Sequence, residues 1–116
     1  MKKLLLLAIA STLSFSAWAA CDDVQSTYEA QKCYSNEVST LKNQLNKTYA
    51  KLYSQTEAKS ALDDAQKAWL NYKEKQCGDF TYADAGASDG QIVYDLSCQV
   101  DLYKSRINYL REITSP

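Results

Sequence analysis

No histidine occurs in the 116 residues, glycine is found only three times and proline once. Without histidine the chain lacks the usual general base near neutral pH, the Ser-His and Cys-His nucleophile pairs, and the commonest metal ligand. So few turn formers exclude a small all-β fold, which needs them every ~8–12 residues. Basic residues number 13 against 14 acidic ones, for a formal charge of -1 and with no clustered Lys/Arg face. A nucleic-acid binder needs such a basic stripe to neutralise phosphates, so that class is set aside. The length allows one domain.

What is present begins with a leader. Lys2 and Lys3 precede an apolar stretch from Leu4 to Ile9, and Ala17-Trp18-Ala19 places small residues at the two cleavage positions that require them. Ser11, Thr12, Ser14 and Ser16 interrupt the stretch, which is too short for a stable membrane span of ~20 apolar residues. Residues 1–19 therefore read as a secretory signal. Cleavage leaves residues 20–116 as one domain, periplasmic or secreted, with 11 basic and 14 acidic residues and a charge of -3. Acylation of Cys21 as a lipoprotein is the less favoured alternative, because Trp18 is bulky for that signal.

Cys21, Cys33, Cys77 and Cys98 all fall in this mature portion. An even count in a small exported domain reads as two disulfides, for which three connectivities exist. Pairing in sequence order, Cys21 with Cys33 and Cys77 with Cys98, is favoured because each bridge then closes a short segment. No C-x-x-C knuckle or redox motif is present, so neither a metal nor a cofactor is expected.

Apolar spacing is helical from there on. Ser26-x-x-Glu29 has the form of a capping box and predicts a short helix over 27–33. Val38, Leu41, Leu45, Tyr49, Leu52 and Tyr53 place one stripe on a helix beginning near Asn36. Ser60-x-x-Asp63 predicts the start of a second, with Leu62, Ala65, Trp69 and Tyr72 as its stripe and Cys77-Gly78 as its end. Residues 78–90 hold all three glycines and read as a loop. Ser88-x-x-Gln91 then predicts the cap of a last helix striped by Leu96, Val100, Tyr103, Ile107 and Leu110. Cys98 lies about 200° round that helix from Leu96, a position for a staple and not for a core contact. The expected fold is all-α: a disulfide-stapled bundle of three long amphipathic helices and a short N-terminal one.

Trp69 and Tyr72 are expected to pack in the core, and Gln66 to be a half-buried amide paired to a neighbouring helix. Arg106 is expected to reach Asp63, Asp64 or Glu74 as a structural ion pair. Asp63 and Asp64 point ~100° apart, no apolar pocket raises either pKa, and no nucleophile elbow is present, so the chain is read as a non-enzyme.

Gln66-Lys67-Ala68-Trp69-Leu70-Asn71-Tyr72-Lys73, followed by Cys77, resembles the central motif of the LprI-like lysozyme-inhibitor family. Leu45-Asn46-Lys47-Thr48-Tyr49 is similar to that family's Leu-Asn-x-x-Tyr helix. Cys21 and Cys33 have the spacing of its N-terminal pair, and Gly86-Ala87-Ser88, Cys98 and Arg106-Ile107-x-x-Leu110 complete the pattern. Lys73 departs from it, standing where the family typically has Arg. The resemblance implies a cell-envelope protein whose partner is lysozyme or another peptidoglycan hydrolase. The alternatives are a non-inhibitory structural or stress-related envelope protein and an immunity protein against a cell-wall toxin. Within the chain, the candidate protein-binding segment is the loop carrying Asp79, Phe80, Tyr82, Asp84 and Asp89. Its acidic charge would steer it towards a cationic lysozyme, with an aromatic ring entering the cleft and the aspartates meeting the basic rim. The run does not fit a calcium loop, since Gly86 and Ser88 follow Asp84 at the liganding positions. Sequence alone leaves the oligomeric state open.

Overall fold

The computed structural model describes residues 21, 23–86 and 88–116. The expected leader and Ala87 of the Gly-Ala-Ser motif lie outside them. Helix α1 spans Thr27–Gln55, α2 spans Lys59–Lys73, a π-helical segment spans Glu74–Thr81, the single turn α3 spans Tyr82–Asp84, and α4 spans Gln91–Ile113. The chain is all-α, as its composition and apolar spacing require.

At the start of α1, the Ser26 hydroxyl accepts from the Glu29 amide at 3.1 Å. The Glu29 carboxylate turns back to the Gln25 amide at 3.4 Å, so orphan donors of the first turn are met as in a capping box. The short helix expected over 27–33 forms here and runs without a break into the long one. Ser35 and Asn36 are poor helix formers but not breakers, and Tyr34 and Val38 continue the apolar stripe through them. Helix α1 ends at Thr56, whose extended backbone and side chain start the turn into α2, the Thr56 hydroxyl accepting from the Ala58 amide at 3.0 Å.

Gln55 and Ser115 are joined at one end of α1 and α4 by two hydrogen bonds, while Tyr34 neighbours Gly90 and Val93 at the other. The two helices are therefore parallel. Between their facing stripes lies the core: Leu41, Leu45 and Leu52 from α1, and Val100, Tyr103, Ile107 and Leu110 from α4, all buried. Burying each such side chain stabilises the fold by about 1.5–3 kcal/mol.

Helix α2 runs antiparallel to both, since Gln66 meets Arg106, Trp69 meets Tyr103 and Cys77 meets Cys98. It begins at Lys59 with Ala58 as its cap and no side-chain cap bond, in place of the start expected at Ser60. Its inward line is Leu62, Gln66, Trp69 and Lys73, in steps of four, three and four. Ala65 and Tyr72 face out, and Tyr72 is 52 % exposed. This corrects the expectation that Tyr72 packs in the core. From Trp69 the next inward positions are Lys73 and Cys77, and Tyr72 lies on the outer flank of that line.

The helix was also expected to stop at Cys77-Gly78; instead it continues to Asp84 through the π-helical turn. The reason is phase. Trp69, Lys73, Cys77, Thr81 and Ala85 recur every four residues and none is exposed. Steps of four drift by ~40° on an α-helix at ~100° per residue. The wider π turn, roughly 4.4 residues round, drifts the other way and keeps Cys77 and Thr81 on α4. Of the expected loop, only residues 85, 86 and 88–90 lie outside a helix among the described residues, with Gly86 at φ +71°. Gly90, not Ser88, caps α4, while Ser88 bonds back to the Ala85 carbonyl at 3.3 Å.

Two disulfides close, Cys21–Cys33 and Cys77–Cys98, in sequence order. Cys77 is completely buried. Replacing Cys77 and Cys98 together by Ala is expected to cost about 3 kcal/mol of stability for a closed loop of this size, read as a drop in the urea midpoint of the oxidised protein.

Candidate functional site

Helix α2 and α4 meet through a ladder of rings and cations. The Trp69 and Tyr103 rings stand edge to face, with centroids 5.5 Å apart. The Arg106 guanidinium lies 6.0 Å from the Trp69 centroid and the Lys73 ammonium 5.3 Å from that of Tyr103. Each ring thus presents its negative π-face to a cation, a contact worth about 0.5–2 kcal/mol according to exposure. Lys73 is only 6 % exposed, and its ammonium also pairs with the Glu74 carboxylate at 3.2 Å. It answers its charge with one carboxylate and one ring.

Arg106 Nε donates to the Gln66 side-chain oxygen at 3.0 Å. Gln66 is therefore the half-buried interhelical amide that its sequence position suggested. Arg106 itself departs from expectation, because it pairs with this amide and not with Asp63, Asp64 or Glu74. Tyr49 of α1 donates its hydroxyl to Asp63, and Lys73 engages Glu74. Burial draws the Arg106 guanidinium below its ordinary pKa, opposed by the nearby Tyr109. It remains a cation, since arginine does not deprotonate in proteins. These residues fasten one helix to another, and beside them Tyr49, Asp63, Gln66, Leu70 and Tyr103 line a cavity of about 380 Å³.

The sequence-selected binding residues occupy the opposite side of the π turn. Phe80 is 61 % exposed and Tyr82 38 %. Asp79, Asp84 and Asp89 are exposed as well. Between Phe80 and Tyr82, Thr81 faces inward: its hydroxyl donates to the Gln76 carbonyl at 2.8 Å and lies 3.7 Å from Cys98 Sγ. Gln91 Nε2 donates to the Tyr82 carbonyl at 2.9 Å, pinning α3 to the first turn of α4. The five residues are therefore carried by a stapled helical edge and not by the open loop expected over 78–90. Four lie within 79–84, and Asp89 stands apart beyond the Gly86 turn.

Two residues that sequence reasoning passed over join this end of the molecule. Ile92 is 43 % and Tyr94 55 % exposed at the start of α4. Tyr94 falls off the Leu96–Leu110 stripe, and that offset was the available signal; Ile92 lies on the stripe, four residues before Leu96, and its exposure left no such signal. Asp95 is close by and accepts from Gln99 Nε2 at 3.0 Å. Among the described residues no group of three or more His, Cys, Asp or Glu side chains is placed to hold a metal ion.

If the Gln66–Arg106 bond couples the helices as described, Gln66→Leu and Arg106→Leu will each destabilise by about 1–3 kcal/mol. The double variant will lose less than the sum, because no partner is then left unpaired. Urea denaturation of the four proteins of the cycle gives the coupling directly.

No curated protein and no solved structure matches the chain significantly. A family model does, over residues 18–110, and it is described as Lysozyme inhibitor LprI. That stretch holds both disulfides, the Gln66-to-Lys73 motif, the π turn and nearly all of α4, so the chain belongs to the LprI family.

Proposed function

We propose that this protein is an exported, non-enzymatic inhibitor that binds a peptidoglycan-cleaving hydrolase such as lysozyme and occludes its cleft. The family match supports an inhibitor's role and a protein partner. Two disulfides fit an oxidising, extracytoplasmic compartment. No helix among the described residues is long and apolar enough to cross a membrane, and a leader over residues 1–19 would supply export.

One observation carries the choice of surface: a phenylalanine 61 % exposed, three residues beyond a completely buried, disulfide-bonded cysteine. An exposed large ring on a rigid support loses little conformational entropy on binding, which favours affinity. Asp79 and Asp84 flank it, and both would be attracted to the rim of a cationic hydrolase. The cleft itself holds a pair of catalytic carboxylates, which would repel an aspartate. The ring of Phe80 or Tyr82 is therefore the group that enters, while the aspartates meet the rim. Inhibition on this account needs no chemistry, only complementarity.

A second reading, assembly in the envelope without inhibition, draws on the exposed Leu70 and Tyr72 of α2, at 42 % and 52 %. Lysis of a cell-wall suspension by a cationic animal-type lysozyme separates the two. The mature protein in micromolar excess is expected to slow lysis. The Phe80→Ala/Tyr82→Ala variant is expected to need at least about 30-fold more protein, the loss of roughly 2 kcal/mol typical of an interface hot spot. Unchanged lysis by the wild type would remove lysozyme as the target. Undiminished inhibition by a folded variant would place the binding surface elsewhere.

A further inference from the structure

Lys47 and Lys51 of α1 and Arg111 of α4 are far apart in sequence, yet they line one cavity of about 400 Å³ where the two helices end. Thr48, Thr114, Ser115 and Pro116 contribute the rest of its wall, and no carboxylate side chain does. All three cations are exposed, and none has an ion-pair partner among the described residues. A chain with a formal charge of -1 thus concentrates three positive charges in one concavity.

Helix-end electrostatics does not account for this. A cation in the last turn offsets the negative end of the helix macrodipole, and Arg111 has that position in α4. The last turn of α1 contains no basic residue, so Lys47 and Lys51 lie too far back to serve the same purpose. They are spaced four apart, the spacing at which like charges on a helix repel by a few tenths of a kcal/mol. A bound anion would lessen that repulsion. The cavity wall is also fixed: Gln55 holds both backbone groups of Ser115, accepting from its amide at 2.9 Å and donating to its carbonyl at 3.1 Å.

The donors indicate the class of anion. Thr48 and Thr114 spend their hydroxyl protons on the Gln44 and Leu110 carbonyls. Recognition is left to the Ser115 hydroxyl and to two ammonium groups and one guanidinium, the cations only donating. A compact group carrying several negative oxygens matches three cations lining one cavity, and the guanidinium fork can take two of those oxygens at once. Gln91 and Arg111 lie at opposite ends of α4, about 30 Å apart at 1.5 Å per residue. That is several times the ~8–10 Å screening length of physiological salt, so the aspartates near the π turn do not cancel the local field.

We propose that the Lys47–Lys51–Arg111 cavity is an anion site for the phosphate groups of a soluble or membrane-borne ligand. The claim is independent of the inhibitor reading, since it involves none of the residues assigned to that surface. The test uses the oxidised mature protein and K47Q/K51Q/R111Q, with inorganic pyrophosphate, citrate and phosphatidylglycerol vesicles as probes at matched ionic strength. Pyrophosphate is expected to raise the melting temperature and to bind the wild type at least about tenfold more tightly than the variant. Without ligand the variant is expected to melt within a few degrees of the wild type, because relief of the Lys47–Lys51 repulsion offsets the loss of the Arg111 charge at the end of α4. A response to pyrophosphate alone assigns a soluble phosphate. Vesicle sedimentation lost in the variant assigns a lipid headgroup, with the same chemistry upheld. Equal responses to citrate and pyrophosphate would overturn the phosphate assignment. Equal responses of wild type and variant, or none from either, would overturn the site.

Discussion

The attachment of α2 to α4 is the constraint on which the molecule turns. Helices α1 and α4 share a run of buried Leu, Val, Ile and Tyr side chains, and apolar burial alone can hold that pair together. Helix α2 has no such resource. Its only fully buried residue is Lys73, while Leu62 and Trp69 are partly covered. Its place is set by the Cys77–Cys98 bond at one end and by the Trp69–Tyr103 contact with its flanking cations along the middle. A small domain with a limited core commonly depends on such a staple, and here the staple serves the helix least able to bind on its own.

That dependence shapes the π turn. Cys77 must face Cys98, Thr81 must follow it inward, and Trp69 must already be against Tyr103. A regular α-helix cannot keep positions 69, 73, 77 and 81 on one line, because the drift accumulates at every fourth residue. Widening the turn over Glu74–Thr81 removes the drift. Gly78, which favours termination by ~1 kcal/mol relative to alanine, is overridden by the cross-link beside it. The consequence lies on the outer surface, where Asp79, Phe80 and Tyr82 are held to a helical edge with little freedom left to lose.

What could be read from the sequence follows from the same distinction. The stripes of α1 and α4 were legible because ordinary apolar side chains at helical spacing form them. The cysteine pairing was legible because the short closures favour it. Helix α2 was misphased because its inward line contains a glutamine and a lysine, which no apolar pattern selects, while Ala65 and Tyr72 offered a cleaner stripe that faces water. Arg106 was assigned to a carboxylate because charge suggests one; geometry gave it the Gln66 amide once Tyr49 had engaged Asp63. Residues 78–90 looked like a loop because glycine content outweighs a four-residue inward period that belongs to no regular helix. The candidate binding residues were chosen by type and neighbourhood, and the structure places four of the five on one stapled segment.

Charge is the property that sequence order hides most completely. Along the chain acidic and basic residues alternate without long runs. In the fold, Asp79, Asp84, Asp89 and Asp95 gather where the π turn meets the start of α4, and Lys47, Lys51 and Arg111 gather where α1 and α4 finish. Parallel packing of α1 and α4 produces this separation, because it brings Arg111 in the last turn of α4 to the same pole as Lys47 and Lys51 of α1. The two poles are separated by several screening lengths, so each acts on its surroundings independently. Substitutions at one should then add to those at the other without coupling. A molecule of this kind can turn an acidic, aromatic edge towards a cationic protein while its far end engages an anion, and neither contact weakens the other.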